Sequence, residues 1–220
     1  AGEYFTEEVR REILARYGKE ALYEGGLSVR TSPDPKMQRL ARKALQHGLI
    51  KYDTLRGYRG PVDKIDPSGD WGPALGKVNA LSDVPEWHLA VVLGATDEGV
   101  TVGIQPGRLQ SGALAPEREK GFIATGDMRW AMRHFKDGKL LRAKSPAEVL
   151  SLGDVVYVEK KQVAEQGNDP ESAGEATEGS GGWLLRQVPQ IEGGMVAMDA
   201  HTGRVLAMVG GFSYAESEFN

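Results

Sequence analysis

The stretch GGMVAMDAHTGRVLAMVGGFSY, residues 193–214, constrains this chain more than any other. Two apolar runs, 195–198 and 204–209, flank Asp199-Ala200-His201-Thr202-Gly203. Gly203 can supply the positive φ of a tight turn, and Asp199 and Thr202 can hydrogen-bond the turn backbone. The runs are rich in Val, Leu and Met and almost uncharged, which predicts a hairpin buried in a larger sheet. The chain given ends at Asn220, soon after the second run. The rest of that sheet is therefore expected elsewhere, and the chain reads as a piece of a longer protein.

The 220 residues suit one or two domains, and 40% hydrophobic with 26% charged residues is ordinary for a globular chain. The net charge of −4 gives no overall attraction to nucleic acid or an anionic membrane. With no cysteine, disulfides and Cys-based zinc sites are excluded, while the compartment stays open. No apolar run approaches the roughly 20 residues of a membrane span. If the parent is exported or anchored, that segment is expected upstream of residue 1.

Residues 4–17 predict an amphipathic helix with Phe5, Val9, Ile13, Leu14 and Tyr17 on one face, Thr6 as cap and Gly18 as stop. After Gly25-Gly26, residues 27–31 (LSVRT) alternate as a short strand. Asp34 and Pro35 make a strong helix start, as N-cap and N1. Met37, Leu40, Ala41, Ala44, Leu45 and Tyr52 then recur at helical spacing. Lys36, Arg39, Arg42, Lys43 and Gln46 read as the opposite, solvated face.

From 56 to 83, Gly and Pro punctuate a loop, with a domain boundary expected near Gly60. Strands are predicted at 87–96, 100–105, 120–124, 154–160 and 183–188, the first two joined by Asp97-Glu98-Gly99. Residues 127–134 read as a helical turn, and 163–182, poor in apolar residues, as a mobile loop. Five short strands with a helix between the third and fourth predict a small OB-type barrel. The fold class is thus α+β, mainly β: a five-stranded barrel inserted into an incomplete α/β portion, with divisions at 1–59, 60–190 and 191–220. The two ends lack separate cores, so 27–31 and the hairpin are expected to share one sheet under the second helix.

The phrases YFTEEVRREI, GGLSVRTSPDPKMQRLARKAL, DMRWA, WLLRQVPQIEGGMVAMDAHTGRVLAMVGG and FSYAESEFN together resemble bifunctional class A penicillin-binding proteins of Gram-negative bacteria. The resemblance covers nearly the whole chain. In that family a segment like 193–220 leads into the Ser-x-x-Lys motif of the transpeptidase. No serine here has a lysine three residues on, so the nucleophile is expected beyond Asn220 and no catalytic residue within the chain. The resemblance implies a parent with glycosyltransferase and D,D-transpeptidase activities. It implies lipid II and peptidoglycan stem peptides as substrates, and a location on the periplasmic side of the inner membrane through an upstream anchor. It implies an OB-like docking surface, in some members for an outer-membrane lipoprotein activator, whose contact residues stay unknown. Exposed strands also allow a dimer by strand addition.

The chemistry-bearing residues give no competing enzyme. Acyl transfer needs an activated nucleophile, a base and oxyanion donors, and no such set is recognisable. His47, His88, His134 and His201 lack metal spacing and read as surface or structural. Asp63, Asp66, Asp70 and Asp83 miss the calcium-loop pattern, and Asp199 reads as a turn residue. No metal and no cofactor is expected. Trp87, Trp130 and Trp183 are weighed as a stacking platform for nucleic acid or glycan strands, the alternative function, against barrel packing, which the acidic balance favours. Gly103, Gly153, Gly193-Gly194 and Gly210-Gly211 read as turns or close approaches.

Overall fold

The computed structural model describes residues 2–136, 138–161 and 182–215. In chain order its elements are α1 (Glu3–Tyr23), α2 (Pro35–Thr54), β1 (Asp63–Lys64), α3 (Gly72–Leu75), β2 (Trp87–Ala95), β3 (Gly99–Ile104) and β4 (Lys120–Ala124). There follow β5 (Arg133–Lys136), β6 (Lys139–Arg142), β7 (Asp154–Lys160), β8 (Trp183–Arg186), β9 (Met195–Met198) and β10 (Val205–Val209). The chain divides into two compact units, Ala1–Asp53 with Pro189–Asn220, and Thr54–Val188.

The first unit is helices on a hairpin. Asp34 caps α2 with its carboxylate, accepting from the Lys36 and Met37 N–H groups at 2.8 Å each. The α2 face that packs inward is rotated from the expected one. Gln38, Ala41, Leu49 and Asp53 are buried, whereas Met37, Leu40 and Tyr52 are exposed. Arg42 and Gln46, assigned to the solvated face, turn inward. Arg42 reaches Glu3 at 3.9 Å, and Gln46 Nε2 donates to the Phe212 carbonyl at 2.9 Å. The reason is polar: the hairpin edge offers backbone groups that an amide side chain can meet and Leu40 cannot. Gln38 donates to the Met208 carbonyl (2.7 Å) and accepts from the Met208 N–H (2.9 Å), standing in for a neighbouring strand.

α1 is broken at Gly18 (φ 80°, ψ 173°) and resumes to Tyr23. Gly2, not Thr6, stands at its N-cap, and the Thr6 N–H bonds back to the Gly2 carbonyl at 2.8 Å. The buried side chain of α1 is Tyr4, whose ring meets Tyr214 edge-on with centroids 5.1 Å apart; Tyr17 lies exposed. The strand expected at 27–31 does not form. Leu27 and Val29 are about half exposed, and it is the following Ser32 and Asp34 that bond the β10 carbonyls of Val205 and Leu206.

The hairpin β9–β10 forms as the sequence predicts. Asp199 Oδ1 accepts from the His201 and Thr202 N–H groups at 2.8 Å each, and Gly203 takes φ 70°. Among the described residues this sheet has two strands rather than belonging to a larger one. Ala207 and Val209 pack with Tyr4 and Ala41, while Val196 and Met198 lie open.

The second unit is built on an antiparallel sheet in the order β1-β7-β2-β3-β4, with β8 also pairing β7. All five predicted strands are present, as β2, β3, β4, β7 and β8. The run Leu89–Ala90–Val91–Val92 is fully buried because both faces of β2 are covered. One face packs Ala90, Val92, Val102, Ile123, Val158 and Leu185 into the main core. On the opposite row, Gly103 of β3 lies under the Trp71 ring, and the segment carrying α3 is tied down where Gln105 Nε2 donates to the Leu75 and Val78 carbonyls.

The expected closed barrel is not found. β7 gives its second edge partly to β1, at Val155 and Asp154, and partly to β8, from Tyr157 to Lys160. The Trp183 ring packs over Gly121 of β4, where a Cβ would fall 2.4 Å from Trp183 Cδ1. β8 is four residues long and pairs with β7, and among the described residues no ladder joins it to β4, so the sheet stays open. A second difference lies at 125–142. The expected helical turn is 3-10, over Thr125–Met132, and His134 belongs to the β5–β6 ribbon. Apart from Gly182, the expected mobile loop 163–182 lies outside the described residues.

Candidate interaction surface

The sequence candidates disperse over the structure. His47 and His201 are exposed, His88 stands edge-on to Trp183 with centroids 5.7 Å apart, and His134 is buried. Among the described residues no group of three or more His, Asp or Glu is placed to hold a metal ion. Asp199 serves the hairpin turn, where backbone donors from Thr202 and His201 hold its carboxyl below the usual range. Asp66 caps the Ser68 N–H at 2.9 Å. Trp87 and Trp183 are buried, and Trp130 packs against the core beside Tyr58 with ring centroids 5.9 Å apart. The three indoles do not form an exposed platform. Of the serines, Ser213 is buried and is followed three residues on by Glu216, not Lys.

Asp70 makes a loop clamp. Arg118 binds it with a two-pronged contact, Nη2 to Oδ2 at 2.8 Å, while Oδ1 also accepts from the Gly72 N–H at 3.0 Å. The Arg118 hydrogen bonds first, then the Gly72 N–H, hold the Asp70 carboxyl down to about 2. Tyr58 anchors the start of this unit. Its N–H donates to the Arg133 carbonyl, and its carbonyl accepts from the Phe135 N–H, both at 2.7 Å. Burial, and secondarily the charge of Asp154, push its phenol well above the ordinary tyrosine range.

The β5–β6 ribbon beside Tyr58 is the residue cluster that the sequence reading missed. Its register sets Arg133 opposite Arg142, His134 opposite Leu141, Phe135 opposite Leu140 and Lys136 opposite Lys139. Strand alternation then puts Arg133, Phe135, Leu140 and Arg142 on one face, and His134 with Lys136, Lys139 and Leu141 on the other. His134 is buried, so the first face points outward. Phe135, Leu140 and Leu141 are 40–45% exposed, and all of β6 is exposed. Among the described residues these four cations form no ion pair, and no strand pairs the second edge of β6. The signal was present: RHFK-DG-KLLR is two short runs around Asp-Gly, the commonest kind of tight hairpin turn.

Similarity to known proteins follows this architecture. A family model described as the penicillin-binding protein OB-like domain matches residues 58–191. Penicillin-binding protein 1A of Rickettsia prowazekii is 33% identical over 219 residues, 99% of this chain and 23% of that protein. The proteins of the same name from Vibrio cholerae and Escherichia coli are 31% and 28% identical, again over 99% of this chain and 24% and 23% of theirs. The chain thus spans about a quarter of the length of these curated relatives. A crystal structure of penicillin-binding protein 1A from Haemophilus influenzae superposes with a TM-score of 0.64 at 27% identity, covering 99% of this chain and 27% of that one. The chain belongs to the penicillin-binding protein family and carries its OB-like domain.

Proposed function

We propose that this chain is the non-catalytic join of a bifunctional peptidoglycan synthase. The unit of α1, α2 and the β9–β10 hairpin is the start of the D,D-transpeptidase domain, and the OB-like unit positions that domain and docks regulatory proteins. The observation that carries this reading is the match of 99% of the chain, both units included, to penicillin-binding protein 1A relatives. On this reading the nucleophilic serine follows Asn220, the parent acts on lipid II and stem peptides, and the location is the periplasmic side of the inner membrane. The exposed Val196 and Met198 face of the hairpin is the surface for further transpeptidase structure or, failing that, for self-association. Burial of Trp87 and Trp183 favours positioning over the alternative of a nucleic-acid or glycan-strand binder, which needs exposed rings.

A fluorescent β-lactam tests the assignment. The chain of residues 1–220 is expected to remain unlabelled, while a longer protein that continues through the Ser-x-x-Lys motif is labelled covalently. Labelling of the 1–220 chain itself overturns the proposal, because it requires a nucleophile within these residues.

A further inference from the structure

We infer that the β5–β6 ribbon takes an acidic, extended polypeptide segment as an added strand along the free edge of β6. This inference rests on the docking role proposed above and assigns it a surface and a partner chemistry. The first observation is electrostatic. In two like-charged pairs, Arg133–Arg142 and Lys136–Lys139, the partners stand directly opposite each other on a ribbon of two four-residue strands. Such pairs ordinarily destabilise a hairpin. Residues 133–142 contain one carboxylate, Asp137, against four cations, in a chain whose net charge is −4. The charge is therefore concentrated locally against the overall sign, and Arg133 and Arg142 present planar guanidinium groups suited to carboxylates.

The second observation is the edge. β6 pairs β5 on one side and no strand on the other among the described residues, and all four of its side chains are exposed. An exposed edge offers a row of backbone donors and acceptors that an extended peptide can use. The third observation separates this partner from an anionic lipid surface. Interfacial elements gather their apolar residues on one side so that side inserts. Here Phe135 and Leu140 lie on one face and Leu141 on the other. An added strand, whose side chains alternate between faces, can meet both apolar sets at once. Its Glu or Asp residues then reach the paired cations.

The probe is an acetylated, amidated peptide of alternating Glu and Val, titrated against the whole 1–220 chain and read by fluorescence anisotropy and amide hydrogen exchange. The expected result is slowed exchange at residues 139–142 on binding. Binding is expected to fall about tenfold or more in the double variant R133E/R142E, as for lost charge pairs at an interface. It is expected to fall comparably when alternate backbone nitrogens of the probe are methylated, which leaves its charge intact. The milder R133Q/R142Q variant, with the exchange of β2 and β7 as a control for folding, separates a lost contact from a lost fold. Undiminished binding of the methylated probe overturns strand addition. Binding unaffected by either double variant, or protection of 139–142 by phosphatidylglycerol vesicles but not by the peptide, overturns the assignment. A regulatory protein that binds the OB-like unit equally well in wild type and R133E/R142E leaves docking standing and removes the ribbon from it.

Discussion

Gly121 and Gly103 show how single residues shape the second unit. Each lies against an indole: Trp183 over Gly121 and Trp71 over Gly103, both closer than any Cβ allows. Replacing Gly121 by Ala forces the Trp183 ring out of a site where it is 5% exposed. The expected cost is about 1–3 kcal/mol, as for overpacking of a core, and the check is thermal unfolding followed by Trp fluorescence. Asp70 supplies a pH-dependent contact. Its carboxyl, held down to about 2 by Arg118, lies below the ordinary aspartate value of 3.8, so its contribution is complete above the latter and lost as pH falls toward the former. Arg118 release from Asp70, followed by NMR of the guanidinium, is expected in that acid window, and Asp70→Asn should abolish the transition. A transition at neutral pH contradicts the assignment.

At the scale of elements, the β9–β10 turn, the α2 N-cap and the five predicted strands of the second unit were legible because each is encoded locally. Asp199 and Gly203 make the turn within five residues, and Asp34 with Pro35 starts α2 within two. The features that escaped depend on partners distant in sequence. Residues 27–31 alternate correctly, yet no strand among the described residues accepts them. The inward face of α2 was misread because Gln38 and Gln46 pack for their amide groups, which hydrophobic periodicity does not count. The strand-mimicking role of Gln38 gives a direct test. Gln38→Ala strands both the N–H and the carbonyl of Met208, and a loss of about 1–3 kcal/mol is expected for the first unit. Gln38→Glu sets a buried carboxylate against the Met208 carbonyl, so at neutral pH it should cost at least as much as Ala and recover in acid, where the protonated group regains a donor. Equal stability of all three contradicts the pairing. The β5–β6 ribbon escaped for a different reason. Its two runs are four residues each and charged, so alternation was weak even though Asp137-Gly138 announced a turn.

Across the whole molecule, chain order and spatial grouping diverge. Residues from both ends form one unit, and the OB-like domain occupies the stretch between them. The open sheet, in place of a barrel, reflects pairing between strands far apart in the chain: β7 shares one edge between β1 and β8, and among the described residues no ladder joins β8 to β4. Family membership was legible in the sequence through the motif phrases at the two ends, whereas the proposed interaction face needed the register of β5 against β6. The proposed division of labour requires the OB-like unit to hold its own structure while the first unit passes its hairpin on to the transpeptidase. Native-state hydrogen exchange over the full chain tests this most directly. The account predicts two cooperative classes: the amides of β2, β3 and β7 in one, and those of α2 and β10 together in the other, with Gln38→Ala accelerating the second class alone. Exchange of all these amides as a single class, or free exchange of β10 while α2 stays protected, would contradict it.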